Sequence, residues 1–192
     1  MANFTEKAIK QTFMNMLNDK PLSKITVKDI AAECGINRNS FYYHYNDIPD
    51  LLETILTEET GRLVRSETRT GTLYEHILYA VDFAIENKIA VYHIYNSANR
   101  EIFEQYLGRI SYKAVRDFMD TTKKTANISA QDKEVIIHYY KCLLVGFVID
   151  WLASGMNYDL RKKLERICLL FDGAMENAIK ICEKEFENNN KY

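Results

Sequence analysis

The chain has 192 residues, 47% of them hydrophobic, and a formal net charge of −2. That length fits one or two domains with ample material for a core, and the near-neutral charge excludes a globally basic nucleic-acid binder while leaving room for a local patch. Only 7 Gly and 2 Pro are present, too few to punctuate a many-stranded sheet, and the long runs of Ala, Leu, Ile, Lys and Glu predict an all-α fold.

In chain order, Phe4, Ala8, Phe13 and Leu17, with Ile9 and Met16 nearby, give a first amphipathic helix that stops near Asn18-Asp19-Lys20-Pro21. Thr26 with Asp29 three residues on forms a capping box that opens a second helix, with Ile30, Ala31 and Cys34 on its inner face. Gly35, free to take positive φ, ends it. Asn37 caps a third, short helix through "NRNSFYYHY". Asp47 starts a long fourth helix toward Arg65, with Pro49 in the first turn and Asp50 favouring the helix dipole. The polar stretch "SETRTGT", Ser66 to Thr72, is the expected boundary between two halves.

The second half reads as longer helices. Leu73, Ile77, Val81 and Ala84 mark one, Ile89 to Tyr95 a short one, and Ile102, Tyr106, Ile110, Ala114 and Phe118 another. Two more are expected over 131–154 and 158–187. "VIIHYYKCLLVGFVIDWLA", Val135 to Ala153, is apolar nearly all round, and such a helix must be covered on both sides. Together with the last helix it predicts a two-fold four-helix seam, with Phe147, Trp151, Leu170, Gly173 and Ala174 at the dimer interface.

The four cysteines, Cys34, Cys142, Cys168 and Cys182, show no C-x-x-C or Cys/His spacing of a zinc site and are expected to be reduced core thiols. The charged N-terminus "MANFTEKAIKQTF" lacks the apolar stretch of a signal peptide, and the longest apolar run, Cys142 to Ile149, is far short of the roughly 20 residues of a membrane helix. A soluble, cytoplasmic protein with no membrane partner is expected. No G-x-S-x-G, Walker loop, G-x-G-x-x-G or H-E-x-x-H is present, and His76, His93 and His138 have no ligand-spaced partner, so neither catalysis, nor a metal, nor a cofactor is expected.

The chemistry concentrates in residues 26–45. Two short helices joined by a tight Gly-containing turn are the sequence form of a helix-turn-helix. In the second of them Phe41 and Tyr45, four apart, face inward, while Arg38, Asn39, Ser40, Tyr42, Tyr43 and His44 face out. Arg pairs with guanine and Asn with adenine in two-pronged fashion, and hydroxyls suit phosphates. Rings and polar tips on one short helix therefore suit a DNA groove.

"TVKDIAAECGINRNSFYYHYNDIPDLLETIL", Thr26 to Leu56, resembles the DNA-binding segment of the TetR family of bacterial transcriptional regulators. The resemblance implies a helix-turn-helix domain over 1–46, and a helical ligand-binding and dimerisation domain over 47–192 with helix 47–65 as connector, about nine helices in all. It further implies a homodimer, a double-stranded DNA operator, a small-molecule effector and usually repression relieved by that effector. Carried over by position, Thr26, Lys28, Ser40 and Tyr42 would touch phosphate, and Arg38, Asn39, Tyr43 and His44 base edges, with Asn37 at the head of the same helix. Two departures stand out: Asn39 occupies a place where the family often has a small residue, and Ile48 replaces its usual phosphate-binding Lys. Through Tyr45 the basic residues (Lys7, Lys10, Lys20, Lys24, Lys28, Arg38) exceed the acidic ones (Glu6, Asp19, Asp29, Glu33) by only 2. These features fit an alternative, a TetR-like coactivator acting through a protein partner. An effector pocket among the ring-bearing middle helices is expected at Tyr92, His93, Tyr106, His138 and Trp151.

Overall fold

A computed structural model of the chain describes residues 2–65, 73–121 and 128–189. Among the described residues all regular structure is helical. The chain divides into two compact units, one of Met1–Val64 with Phe83–Leu107, the other of Arg65–Asp82 with Gly108–Tyr192.

The first unit begins with α1 (Ala2–Asp19), a single 3-10 turn (Leu22–Lys24), α2 (Val27–Glu33), α3 (Arg38–His44) and α4 (Ile48–Arg65). Each start is set by the residue before it. Thr26 Oγ1 accepts from the Asp29 N–H at 3.2 Å while the Asp29 carboxylate accepts from the Thr26 N–H at 3.0 Å, the reciprocal capping box that the sequence spacing predicts. The Asn37 side chain accepts from the Ser40 N–H at 2.8 Å, and Asp47 from the Asp50 N–H at 2.8 Å. Gly35, at φ +66°, turns the chain between α2 and α3 in a conformation that costs a side chain dearly. Thr26→Ala removes one half of the box and leaves the Asp29 N–H without its acceptor. Thermal unfolding is expected to start about 2–4 °C lower, with no change in helix content read by circular dichroism below the transition.

The inner face of α1 differs from expectation. Ile9, Phe13 and Leu17 are fully buried, whereas Phe4 is 82% exposed and Ala8 lies outside. Spacings of three and four both satisfy helical periodicity, and packing selected the i, i+4, i+8 row. α1 packs on α2 and on α6 (Lys88–Tyr95), whose Ala90, Val91 and Ile94 are buried. His93 of α6 donates its Nδ1–H to the Leu17 carbonyl at 2.6 Å, satisfying an orphan acceptor in the last turn of α1.

α5 (Leu73–Glu86) and α7 (Arg100–Thr121) precede α8 (Ala130–Ala153), α9 (Leu160–Leu170) and α10 (Ala174–Asn189). The core of the second unit is drawn from Ile110, Ala114, Val115 and Met119 of α7, Ile136, Ile137, Leu144, Val148 and Leu152 of α8, and Leu160, Leu164, Met175 and Ile179 beyond it. Arg161 of α9 pairs with Asp82 of α5 at 2.6 Å.

Three expectations change here. The last helix is two: α9 ends at Leu170, and Gly173, at φ +76°, begins the next, its carbonyl accepting from the Asn177 N–H at 2.9 Å. The apolar stripe runs straight through this break, so periodicity alone hid it. The total is therefore ten α-helices among the described residues. The cysteines are all free, but none is a core thiol: Cys142 is exposed and Cys34, Cys168 and Cys182 are half-buried. The boundary expected at Ser66 to Thr72 lies outside the described residues.

α8 is the one helix among the described residues long and apolar enough to cross a membrane, with mean hydropathy 1.6, and 33% of that window is buried. Its outward residues include Val135, Tyr139, Cys142 and Leu143. Leu169, Leu170 and Phe171 at the end of α9, and Ile181 and Phe186 of α10, are also exposed, and α10 packs against α8. A face this apolar is uncommon on a solitary soluble protein.

Candidate nucleic-acid interface

α3 is seven residues long, and its register is fixed from within. Phe41 is fully buried and Tyr45 nearly so, their rings 5.7 Å apart. That anchoring turns Arg38, Asn39, Tyr42 and Tyr43 to solvent, with Tyr43 80% exposed. Two large rings left mostly in water on a short, capped helix add little to the fold of this chain, which points to a surface used by something else. Tyr42 stands edge-on to Phe41 at 5.6 Å, so its phenol is held at a fixed angle rather than swinging freely.

The other candidates are placed less openly. His44 is half-buried, edge-on to Tyr43 at 5.1 Å and 6.2 Å from the Tyr45 ring. Ser40 is half-buried, and its hydroxyl donates to the Asn37 side-chain oxygen at 3.1 Å. Asn37 and Ser40 are thus occupied with each other. Thr26 is exposed, but its hydroxyl donates to Asp29 at 2.8 Å. That hydrogen bond, with the Thr26 N–H behind it, holds the Asp29 carboxyl below its usual range. Lys28 beside it is exposed. Of the residues expected to touch DNA, those that are exposed and not spent on a neighbouring cap are Lys28, Arg38, Asn39, Tyr42 and Tyr43.

One cation counted toward the local charge is committed elsewhere. Lys10 pairs with Glu6, a turn earlier on α1, at 2.6 Å and with Glu58 of α4. Burial alone would lower the Lys10 pKa, but the hydrogen bonds it donates to Glu58 and Glu6 outweigh that and hold the ammonium well above its ordinary value. The i, i+4 spacing of Glu6 and Lys10 is a signal in the sequence. Glu58, 48 residues away, left none. Lys20 lies 4.0 Å from Asp29, so it too is partly offset.

Of the side chains expected to line a pocket, Tyr92, His93 and Tyr106 belong to the first unit and His138 and Trp151 to the second. Tyr106 is buried, Tyr92 and His93 are half-buried, and the ring N–H of His93 is spent on Leu17. His138 is exposed on α8, and Trp151, 4% exposed, donates its Nε1–H to the Tyr158 carbonyl at 3.0 Å. Trp151 was also expected at the dimer seam, yet its burial within one protomer leaves a partner almost nothing to touch. Phe147 is half-buried, and Leu170, Gly173 and Ala174 are exposed. Among the described residues no group of three His, Cys, Asp or Glu side chains is placed to hold a metal ion.

Comparison with known proteins bears on both halves. Residues 13–55 match the model of bacterial regulatory proteins of the tetR family, and residues 71–173, over half the chain, match that of a transcriptional regulator C-terminal region. The chain is 24% identical over 155 residues to YxbF of Bacillus subtilis, an uncharacterised HTH-type transcriptional regulator, covering 79% of this chain and 40% of that one. It is 41% identical over 51 residues to the HTH-type regulator EthR of Mycobacterium tuberculosis, 27% of this chain and 24% of EthR. The chain thus spans well under half the length of either curated relative. Among solved structures, DhaS, described as a dihydroxyacetone kinase operon activator, superposes with a TM-score of 0.73 at 22% identity over 93% of this chain and 98% of that one. NalD of Pseudomonas aeruginosa, described as the secondary repressor of the MexAB-OprM multidrug efflux pump, does so with a TM-score of 0.60 at 16% identity over 93% and 97%. A chain whose regular structure among the described residues is all helical, whose short, capped α3 presents Arg38, Asn39, Tyr42 and Tyr43, and which both models match, belongs to the tetR family of bacterial regulatory proteins, a family of DNA-binding transcription regulators.

Proposed function

We propose that the protein is a cytoplasmic homodimeric repressor that binds a palindromic operator through residues 37–45 of each protomer and leaves it when a small molecule binds. The observation that carries the reading is the outward set Arg38, Asn39, Tyr42 and Tyr43 on a helix locked by Phe41 and Tyr45. Residues 1–46 act as the reading head, and 47–192, opening with α4 as connector, as the effector and dimerisation part. Support for the dimer comes from the apolar outer face of α8 with Leu170 and its neighbours, which two-fold pairing would cover. The effector rests on the family, not on the five ring-bearing residues named above, since His93 and Trp151 spend their ring N–H groups on backbone carbonyls. To release DNA, the effector must bind the state with mis-spaced α3 helices better than the bound state, in which they sit about 34–36 Å apart.

The test is a fluorescence-anisotropy titration against the duplex flanking the protein's own gene, with a scrambled duplex as control. A preference of roughly 10³-fold or more is expected. Arg38→Ala and Tyr43→Ala should each remove most of it. Salt dependence should be shallow. With Lys10 and Lys20 engaged and Ile48 in place of a Lys, Lys24, Lys28 and Arg38 are the basic residues left between Pro21 and Tyr45, the segment that carries the helix-turn-helix. Six such charges per dimer give a slope of log K against log salt of about −5; a slope near −10 would refute this count.

A second reading, an activator working through a protein partner, is favoured by the same low local charge and Ile48, and by the description of DhaS as an operon activator. Equal, weak binding to both duplexes, with loss rather than gain of target expression on gene deletion, would select it.

A further inference from the structure

We infer that Lys10 is a positioning residue for DNA recognition: by neutralising Glu6 of α1 and Glu58 of α4, which would otherwise repel each other, it keeps α1 and α4 together where the buried Tyr45 seats the recognition helix α3.

A seven-residue helix is too short to hold its own geometry, so α3 depends on what grips its ends. Its N-terminus is held locally by Asn37. Its C-terminus is held by Tyr45, whose N–H closes the last turn on the Phe41 carbonyl at 3.0 Å and whose ring is buried. The Tyr45 hydroxyl is buried too and reaches no well-formed hydrogen bond. Burial pushes its pKa up to about 12, with the Lys10 ammonium opposing the rise and the Glu6 and Glu58 carboxylates adding to it. His44, the next residue back, contributes to holding the Glu6 carboxyl below its usual range, after the hydrogen bond and charge of Lys10. Three elements therefore meet at one half-buried charged cluster: Glu6 and Lys10 from α1, His44 and Tyr45 from the end of α3, and Glu58 from α4.

The cluster is asymmetric. Lys10 is the most enclosed of the three ion-paired side chains, at 17% exposure. Removing Glu58 leaves Lys10 with Glu6, a pair that still balances. Removing Lys10 leaves two carboxylates that both reached its Nζ with no cation between them, and like charges at that range repel. Repulsion there pushes α1 and α4 apart at the point where the end of α3 is seated. Arg38, Asn39 and Tyr43 remain present but lose their shared register. A side chain that merely filled space would not show this dependence on the charges around it.

The experiment compares Lys10→Met, Lys10→Arg, Glu58→Gln and the double variant Lys10→Met/Glu58→Gln in the full-length protein. Affinity for the flanking duplex is expected to fall roughly tenfold in Lys10→Met, to stay near wild type in Lys10→Arg and Glu58→Gln, and to recover most of the loss in the double variant. Amide hydrogen exchange, read without DNA, should show residues 41–45 exchanging faster in Lys10→Met and slowing again in the double variant. Full affinity in Lys10→Met, a loss that Glu58→Gln does not relieve, or unchanged exchange across α3 would overturn the inference. Wild-type protein that fails to prefer the duplex would instead count against the repressor reading, and the exchange result would still decide the role of Lys10.

Discussion

Leu170→Glu is expected to leave the protein a folded monomer and, with that, to abolish specific operator binding. Leu170 is 60% exposed in the protomer, so charging it removes little from the protomer's own core. In the proposed seam the same side chain is covered by the partner. Burying a leucine contributes about 1.5–3 kcal/mol, and two-fold symmetry applies the loss twice. Even before the cost of desolvating two carboxylates, about 3–6 kcal/mol disappears, which weakens the dimer by roughly 10²-fold or more. Sedimentation at micromolar concentration should then show the monomer mass, while circular dichroism stays that of the wild type. Ile89→Glu is the control: Ile89 is also an exposed apolar residue, but it sits on α6 in the other unit. It should leave the dimer intact. A Leu170→Glu protein that still sediments as a dimer would move the seam elsewhere.

What the sequence made legible follows the range of the interactions involved. The caps at Thr26, Asn37 and Asp47 and the turn at Gly35 involve side chains within three residues of the backbone they satisfy, and each is found where spacing predicts it. The inward pair Phe41 and Tyr45, four apart on one short helix, was equally readable. Legibility ended where a helix has no polar face or where partners are far apart in the chain. On α8 nearly every position is apolar, so nothing in the pattern separated buried Trp151 from exposed Tyr139, or marked Cys142 as outward. The break between α9 and α10 carries no proline, and the stripe of Leu160, Leu164, Met175 and Ile179 continues on either side of it. The hydrogen bond from His93 to Leu17, and the pairing of Lys10 with Glu58, join residues 76 and 48 positions apart. Two expected pocket residues are turned to other work, His93 by a partner 76 positions away and Trp151 by one only 7 positions on, beyond the end of its own helix. His93 and Trp151 read as polar rings awaiting a ligand, and both meet backbone carbonyls.

Phe41→Ala should separate holding the reading helix from reading with it. Phe41 is fully buried and lies between Tyr42 and Tyr45, at 5.6 and 5.7 Å between ring centres. Truncation forfeits the transfer energy of the ring and leaves a void that a seven-residue helix cannot close by shifting, because Asn37 fixes one end and Tyr45 the other. The expected cost is about 3–5 kcal/mol, or a fall of roughly 10 °C in the melting transition of this unit. Operator binding would be lost as a consequence of the unseated helix. Arg38→Ala should lose specific binding just as fully, with its melting transition within about 1 °C of wild type, since Arg38 is exposed and makes no contact that the fold requires. Phe41→Leu, which keeps most of the volume, should restore the greater part of both stability and binding. If Arg38→Ala instead melted as early as Phe41→Ala, the exposed side chains of α3 would be part of the scaffold, and the division of this helix into an anchoring face and a reading face would fail.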